Sequence, residues 1–126
     1  MTGQPEVNTA LIIIDGDLYD VWSAMLVSAA PGVKISRADP SIFVSDKQVI
    51  ETLNKRYDCI LLASKLPAFS SVRLAELAHQ LNSPTKLILI SRNNADPEAT
   101  GRLFHAFIPV EKLSSDRLSE ALKKIV

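Results

Sequence analysis

The sequence predicts a doubly wound α/β domain: five parallel strands alternating with five helices, (βα)5, in one sheet between two helical layers. Three observations predict it. Short apolar runs alternate with longer amphipathic ones along the whole chain. The runs ALIII (10–14), CILLA (59–63) and LILIS (87–91) are continuously apolar, as strands covered on both faces require. A chain of 126 residues, 47% of them hydrophobic, is the size of one domain with a real core. Residues 1–126 are therefore read as a single domain, with residues 1–8 expected to be a flexible tail.

The first strand, 10–14, is followed by Leu18 to Ala29, where Val21, Trp22, Met25, Leu26 and Ala29 recur at helical spacing and place Trp22 in the core. VKISRA (33–38) alternates instead, which suits an edge strand. SDKQVIETLNKR (45–56) opens with Ser45 and carries Gln48 three residues on, a capping-box pattern, with Val49, Ile50 and Leu53 on one side. The third strand, 59–63, leads to SSVRLAELAHQL (70–81), whose Val72, Leu74, Ala75, Leu77, Ala78 and Leu81 predict a broad apolar face. After the fourth strand, Asp96-Pro97 offers a cap and a first-turn proline for a short helix over Asp96 to His105. AFI (106–108) is the fifth strand, limited by Pro109. SSDRLSEALKKIV (114–126) is the last helix, with Leu118, Ala121, Leu122 and Ile125 inward and lysines at the end the helix dipole favours.

Composition excludes several classes. Fourteen basic residues balance fourteen acidic ones, so net charge gives no attraction to nucleic acid or anionic membranes. Cys59 has no disulfide partner and sits in an apolar run, which suits an inert buried thiol in a reducing cytoplasm. The apolar runs are too short to cross a bilayer and the start lacks signal-peptide regions, so a soluble, cytoplasmic protein is expected. There is no GxGxxG after the first strand and no GxxxxGK[ST]. His79 and His105 lack Cys or Glu at ligand spacing, and Ser64, Ser70 and Ser71 lack a GxSxG context. No cofactor and no metal are expected, and no enzymatic activity.

In doubly wound sheets, sites form at the carboxyl ends of the strands. Here those positions are Asp15, Gly16 and Asp17, then Ala63 and Ser64, then Ser91 and Arg92, then Pro109 to Lys112. The opening IIIDGD resembles the haloacid dehalogenase type of phosphotransferase, which would make Asp15 a nucleophile and Asp17 a general acid. That family also needs a lysine and a later acidic pair, whereas Asp96 and Glu98 look like helix-start residues and the chain is short for the fold. Asp17 equally serves as the cap of a helix beginning near Leu18.

YDCILLASKLPAFSS (57–71) resembles the bacterial response-regulator receiver domain, whose fold is the flavodoxin-like, CheY-like sheet. The resemblance matches Asp58 to an aspartate before the third strand. With Pro67 fixing the register, it puts the phosphoacceptor position on Ala63. It also matches Asp15 and Gly16 to the acidic pair after the first strand, Ser91 to the hydroxyl residue after the fourth, and Phe107 to the aromatic switch residue. The departures concern chemistry. Acyl phosphate formation needs a carboxylate nucleophile, which Ala63 lacks. Magnesium needs oxygen ligands, and Gly16 and Ala63 each remove one. The family's lysine position falls on Val110, or on Ile108 if Pro109 is aligned with the family's proline, and Lys112 lies two residues further on. The resemblance therefore implies a degenerate receiver, with Asp15, Gly16, Ala63, Ser91 and Val110 as the remains of its phosphorylation pocket.

A receiver without that chemistry acts through its surface. By resemblance, the fourth-helix, fifth-strand and fifth-helix face spans about 99–124 and is expected to form a homodimer or meet a partner. Its Arg102, Phe104, His105, Phe107 and Lys112 combine aromatic and basic side chains, a composition favoured at interfaces. Phe104 and Phe107 fit a core role as well, and Arg102 a solvated charge. The expected role is a phosphorylation-independent regulatory domain of a transcription regulator, with DNA contacted through an output domain outside this chain and no membrane contact. A small-molecule sensor using the vacated pocket and a stand-alone signalling adaptor are the alternatives.

Overall fold

In the computed structural model of the chain, residues 7–14, 16–63, 70–91 and 104–125 are described, the side chains of residues 16, 17, 91, 124 and 125 excepted. The strands β1 (Thr9–Ile13), β2 (Lys34–Ala38), β3 (Cys59–Ala63), β4 (Lys86–Ser91) and β5 (Ala106–Pro109) form one parallel sheet in the order β2-β1-β3-β4-β5. The helices among the described residues are α1 (Gly16–Ala29), α2 (Asp46–Leu53), α3 (Ser71–Gln80) and α4 (Ser115–Ile125). The chain passes from β1 to β2 on one side and then to β3 on the other, so the strand order reverses between β1 and β3. That reversal opens a crevice at their carboxyl ends.

The continuous apolar runs serve two cores at once, because successive strand side chains point to opposite faces. Ile12, Leu61, Ile88 and Ile108 pack with Trp22 and Leu26 of α1 and with Leu118 and Leu122 of α4. Leu11, Ile13, Ile60, Leu62, Leu87 and Leu89 pack on the other face with Val49 and Leu53 of α2, with Leu74 and Leu77 of α3, and with Phe43 and Phe104. Each such side chain contributes about 1.5–3 kcal/mol by leaving water. β2 alternates because it is an edge strand: Lys34, Ser36 and Arg37 are exposed while Ala38 is buried. Arg37 lies over the Tyr19 ring of α1, 5.4 Å from its centroid.

Local signals explain the boundaries. Gly32, at φ 90, follows Pro31 in the turn closed by the Val33 N–H to the Ala30 carbonyl at 3.1 Å, the proline–glycine arrangement of a type II turn. Gln48 Oε1 accepts from the Ser45 N–H at 3.0 Å and from its hydroxyl at 2.7 Å, so the expected capping-box pair opens α2. The helix stops at Leu53, not at Arg56, because Arg56 takes φ 56, outside the right-handed helical region. Asn82, at φ 51, ends α3 in a Schellman turn: its N–H donates to the His79 carbonyl and that of Ser83 to the Ala78 carbonyl.

Several expectations are corrected. Val21 of α1, Val72 of α3 and Leu81 are 47%, 39% and 44% exposed, so they lie off the inward stripes assigned to them. The sheet admits the residues that point at it, here Trp22 and Leu26 of α1 and Leu74 and Leu77 of α3, and an apolar neighbour one position away is turned by roughly 100°. At residues 7 and 8, expected in the tail, the chain is already held. Val7 is buried in the first core, and the Asn8 N–H donates to Asp58 Oδ2 at 2.7 Å. Residues 96–103 of the expected short helix lie outside the described residues, while Phe104 and His105 are not helical but lead into β5.

Candidate functional site

The carboxyl edge of the sheet collects the residues that the sequence singles out. Ala63 ends β3 opposite Ile90 of β4, and Ser91 ends β4 opposite Pro109 of β5. Gly16 opens α1 three residues after the end of β1, and Val110 begins a 3₁₀ turn, Val110–Lys112, directly after β5. Topology thus brings Gly16, Ala63, Ser91 and Val110 to one edge, although 94 positions separate the first from the last. Asp15 lies outside the described residues, as do Ser64, Pro67 and Arg92, and so do the side chains of Ser91 and Asp17. Because α1 begins at Gly16 and not near Leu18, Asp17 is a first-turn residue and not the cap. An acidic residue there is still favoured by the positive end of the helix dipole.

The described side chains of this edge offer few ligand atoms. Ala63 is half-buried and its methyl group packs against the first core, as does Val110. Lys112 is exposed at the end of the 3₁₀ turn. A magnesium ion takes oxygen ligands in near-octahedral geometry, which glycine, alanine and valine side chains cannot supply. The described side chains here do not fit that ion. Among the described residues no three His, Cys, Asp or Glu side chains gather as a metal-binding group. Cys59 is buried in the first core, and burial, with Asp58 next in the chain, pushes its thiol up to about 12, so it stays protonated.

Asp58, matched by sequence to the receiver pattern, lies at the opposite end. Its Oδ2 accepts the N–H groups of Asn8 at 2.7 Å and Thr9 at 3.1 Å and so ties the start of β1 to the start of β3. Nearby, the Thr85 hydroxyl donates to the Tyr57 carbonyl at 2.7 Å. These are scaffold contacts, remote from the candidate pocket.

The residues expected at a partner face divide. Phe104 is 6% exposed and packs into the second core with Phe43, Leu87 and Leu89, so it is not an outward contact. Phe107, on β5, is half-buried against the same core, while His105 and Lys112 are exposed. Arg102 lies outside the described residues. α4 adds exposed Asp116, Arg117, Glu120 and Lys123.

Sequence reasoning missed two contacts. Arg73 Nη2 meets Asp46 Oδ2 at 2.7 Å and Arg73 Nε meets Oδ1 at 3.2 Å, a two-pronged pair joining the starts of α3 and α2. This guanidinium holds the Asp46 carboxyl below its usual 3.8. The Leu87 N–H donates to His105 Nδ1 at 3.0 Å, beside a cavity of about 290 Å³ between the end of α3 and the amino ends of β4 and β5. No local pattern signals either contact, since the partners lie 27 and 18 positions apart. No helix of the described residues is long and apolar enough to cross a membrane.

No family model matches the chain, and no curated protein does. Solved structures do. A CheY-like response-regulator receiver domain from Methylobacillus flagellatus matches with a TM-score of 0.72 at 19% identity, covering 96% of this chain and 100% of that one. A CheY-like receiver domain protein from Methanospirillum hungatei gives 0.72 at 21% identity, over 94% and 93% of the two chains. A DNA-binding response regulator of the LuxR family from Staphylococcus aureus gives 0.69 at 13% identity, over 94% and 98%. With its strand order, its two helical layers and this likeness over nearly the whole length, the chain has the CheY-like receiver fold.

Proposed function

We propose that this domain is a receiver-like regulatory module that works without aspartyl phosphorylation, as the receiver part of a longer transcription regulator. The observation that carries the reading is Ala63. It ends β3 at the position that the resemblance gives to the phosphoacceptor, and a methyl group has no lone pair with which to attack phosphorus. Gly16 and Val110 on the same edge, at the positions of an acidic ligand and a lysine, support it further.

Signalling then passes through the β5 and α4 face, by dimerisation or partner contact. A two-fold dimer sets one patch against its own copy, so a charged patch there must carry both signs. Exposed Asp116 and Glu120 beside Arg117 and Lys123 meet that requirement. The likeness to a protein named as a DNA-binding response regulator favours a DNA-binding output. DNA contact is assigned to a part outside this domain, whose fourteen basic and fourteen acidic residues cancel.

Calorimetric titration with magnesium and beryllofluoride, a mimic of the phosphoryl group, tests the reading. The expected result is no saturable heat and an unchanged sedimentation coefficient. Saturable binding would show a working acyl-phosphate pocket and overturn it.

A further inference from the structure

We propose that His105 is a proton-operated latch: neutral, its ring fastens the amino end of β5 to β4, and protonated, it lets go. The geometry is specific. The His105 N–H donates to the Leu87 carbonyl at 2.9 Å, and the Leu87 N–H donates back to His105 Nδ1 at 3.0 Å. Leu87 thus exchanges both backbone groups with one residue, and a side-chain nitrogen stands where a strand carbonyl would otherwise accept.

An imidazole nitrogen can accept only with its lone pair free, so the single proton of the neutral ring sits on Nε2. A second proton must go to Nδ1. There it would point at the Leu87 N–H, and an attractive contact would become one between two donors. Leu87 is fully buried, so its N–H would have no water to turn to.

The surroundings keep the latch closed near neutrality. Although His105 is exposed as a residue, Nδ1 faces the buried strand. Burial, then Lys86 on β4, then His79 on α3 lower the ring's proton affinity from the usual 6.5. Among the described residues, Lys86 and His79 are the charged or titratable groups that act on it. The folded state therefore binds this proton less readily than the unfolded chain. The latch's contribution is complete above pH 6.5 and is lost as pH falls from there through the ring's own lowered value. The adjoining cavity of about 290 Å³, with Asn82, Ser83 and Thr85 on its wall, gives the imidazolium room to turn aside.

What is released matters because β5 is a four-residue edge strand, paired on one side only, and carries Phe107. Opening at its start loosens the face on which Phe107 and α4 lie. This inference does not depend on how the domain signals.

Nuclear magnetic resonance on the full chain tests it. Imidazole nitrogen shifts should show the Nε2–H form at neutral pH. Amide exchange at Leu87, corrected for its intrinsic rate between about pH 5 and pH 8, should speed at least about tenfold with the ring's protonation, while Leu61 in the central strand stays unchanged. His105→Asn keeps an acceptor oxygen that does not titrate, so it should retain protection and lose the pH dependence. An Nδ1–H form, pH-independent protection of Leu87, or His105→Asn titrating like the native protein would each overturn the latch.

Discussion

At the amino ends of the strands, side chains complete what the backbone ladder leaves open. Asp58 takes the N–H groups of Asn8 and Thr9, Thr85 bonds the Tyr57 carbonyl, and His105 takes the N–H of Leu87. At the carboxyl ends, the positions where this fold ordinarily carries chemistry hold Gly16, Ala63 and Val110. The amino ends are rich in directed polar contacts, whereas Ala63 and Val110 at the carboxyl ends offer side chains that can only pack. The contrast separates what the receiver fold needs, which the amino ends supply, from what the proposed loss of phosphorylation would remove at Gly16, Ala63 and Val110.

That contrast breaks first at Phe104. If it is core at the amino end, Phe104→Ala costs about 3–5 kcal/mol in chemical denaturation and leaves self-association unaltered. A loss under about 1 kcal/mol with altered sedimentation would instead return it to a partner face. Next comes Asp58, whose carboxylate serves two amides. Asp58→Ala is expected to cost about 1–3 kcal/mol, and Asp58→Asn, which keeps an acceptor oxygen without the charge, less.

The carboxyl edge should be far more tolerant. Ala63→Asp changes stability by less than about 1 kcal/mol and, with valine still at the lysine position, gains no phosphoryl group from a small phosphodonor. A full phosphoryl increment in that variant would show that a single side chain had silenced the site.

The smallest effect is at the Arg73–Asp46 pair, which is largely solvated. Asp46 is held below 3.8 in the folded state, so its contribution is present above that pH and fades as pH falls through the lowered value. Arg73→Ala should remove this acid-limb dependence and leave stability at neutral pH almost unchanged, as denaturation across an acid series would read.

Much of the fold was legible. Cys59–Ala63 was bounded to the residue because a doubly covered strand must be apolar throughout, and β2 betrayed its edge position by alternating. Val21, Val72 and Leu81 misled because hydrophobic periodicity counts apolar residues, whereas packing admits the direction in which each points. At the candidate site the sequence speaks only to side-chain identity: an alanine or a glycine offers no carboxylate, wherever it sits. Contacts were hidden. The nitrogen of His105 meets Leu87, and Arg73 meets Asp46, through sheet order and helix placement, which no local spacing encodes. Asp15 and Arg102 lie outside the described residues, so their parts in the pocket and the face rest on sequence.

The central claim is that Ala63 leaves the carboxyl edge without an acyl-phosphate chemistry. Intact-protein mass spectrometry after incubation with magnesium and a small phosphodonor, beside a phosphorylatable receiver treated identically, measures it most directly. The account predicts an unmodified mass for this chain while the comparison protein gains one phosphoryl group. A stoichiometric phosphoryl increment on this chain that hydroxylamine removes, as it removes an acyl phosphate, would contradict it.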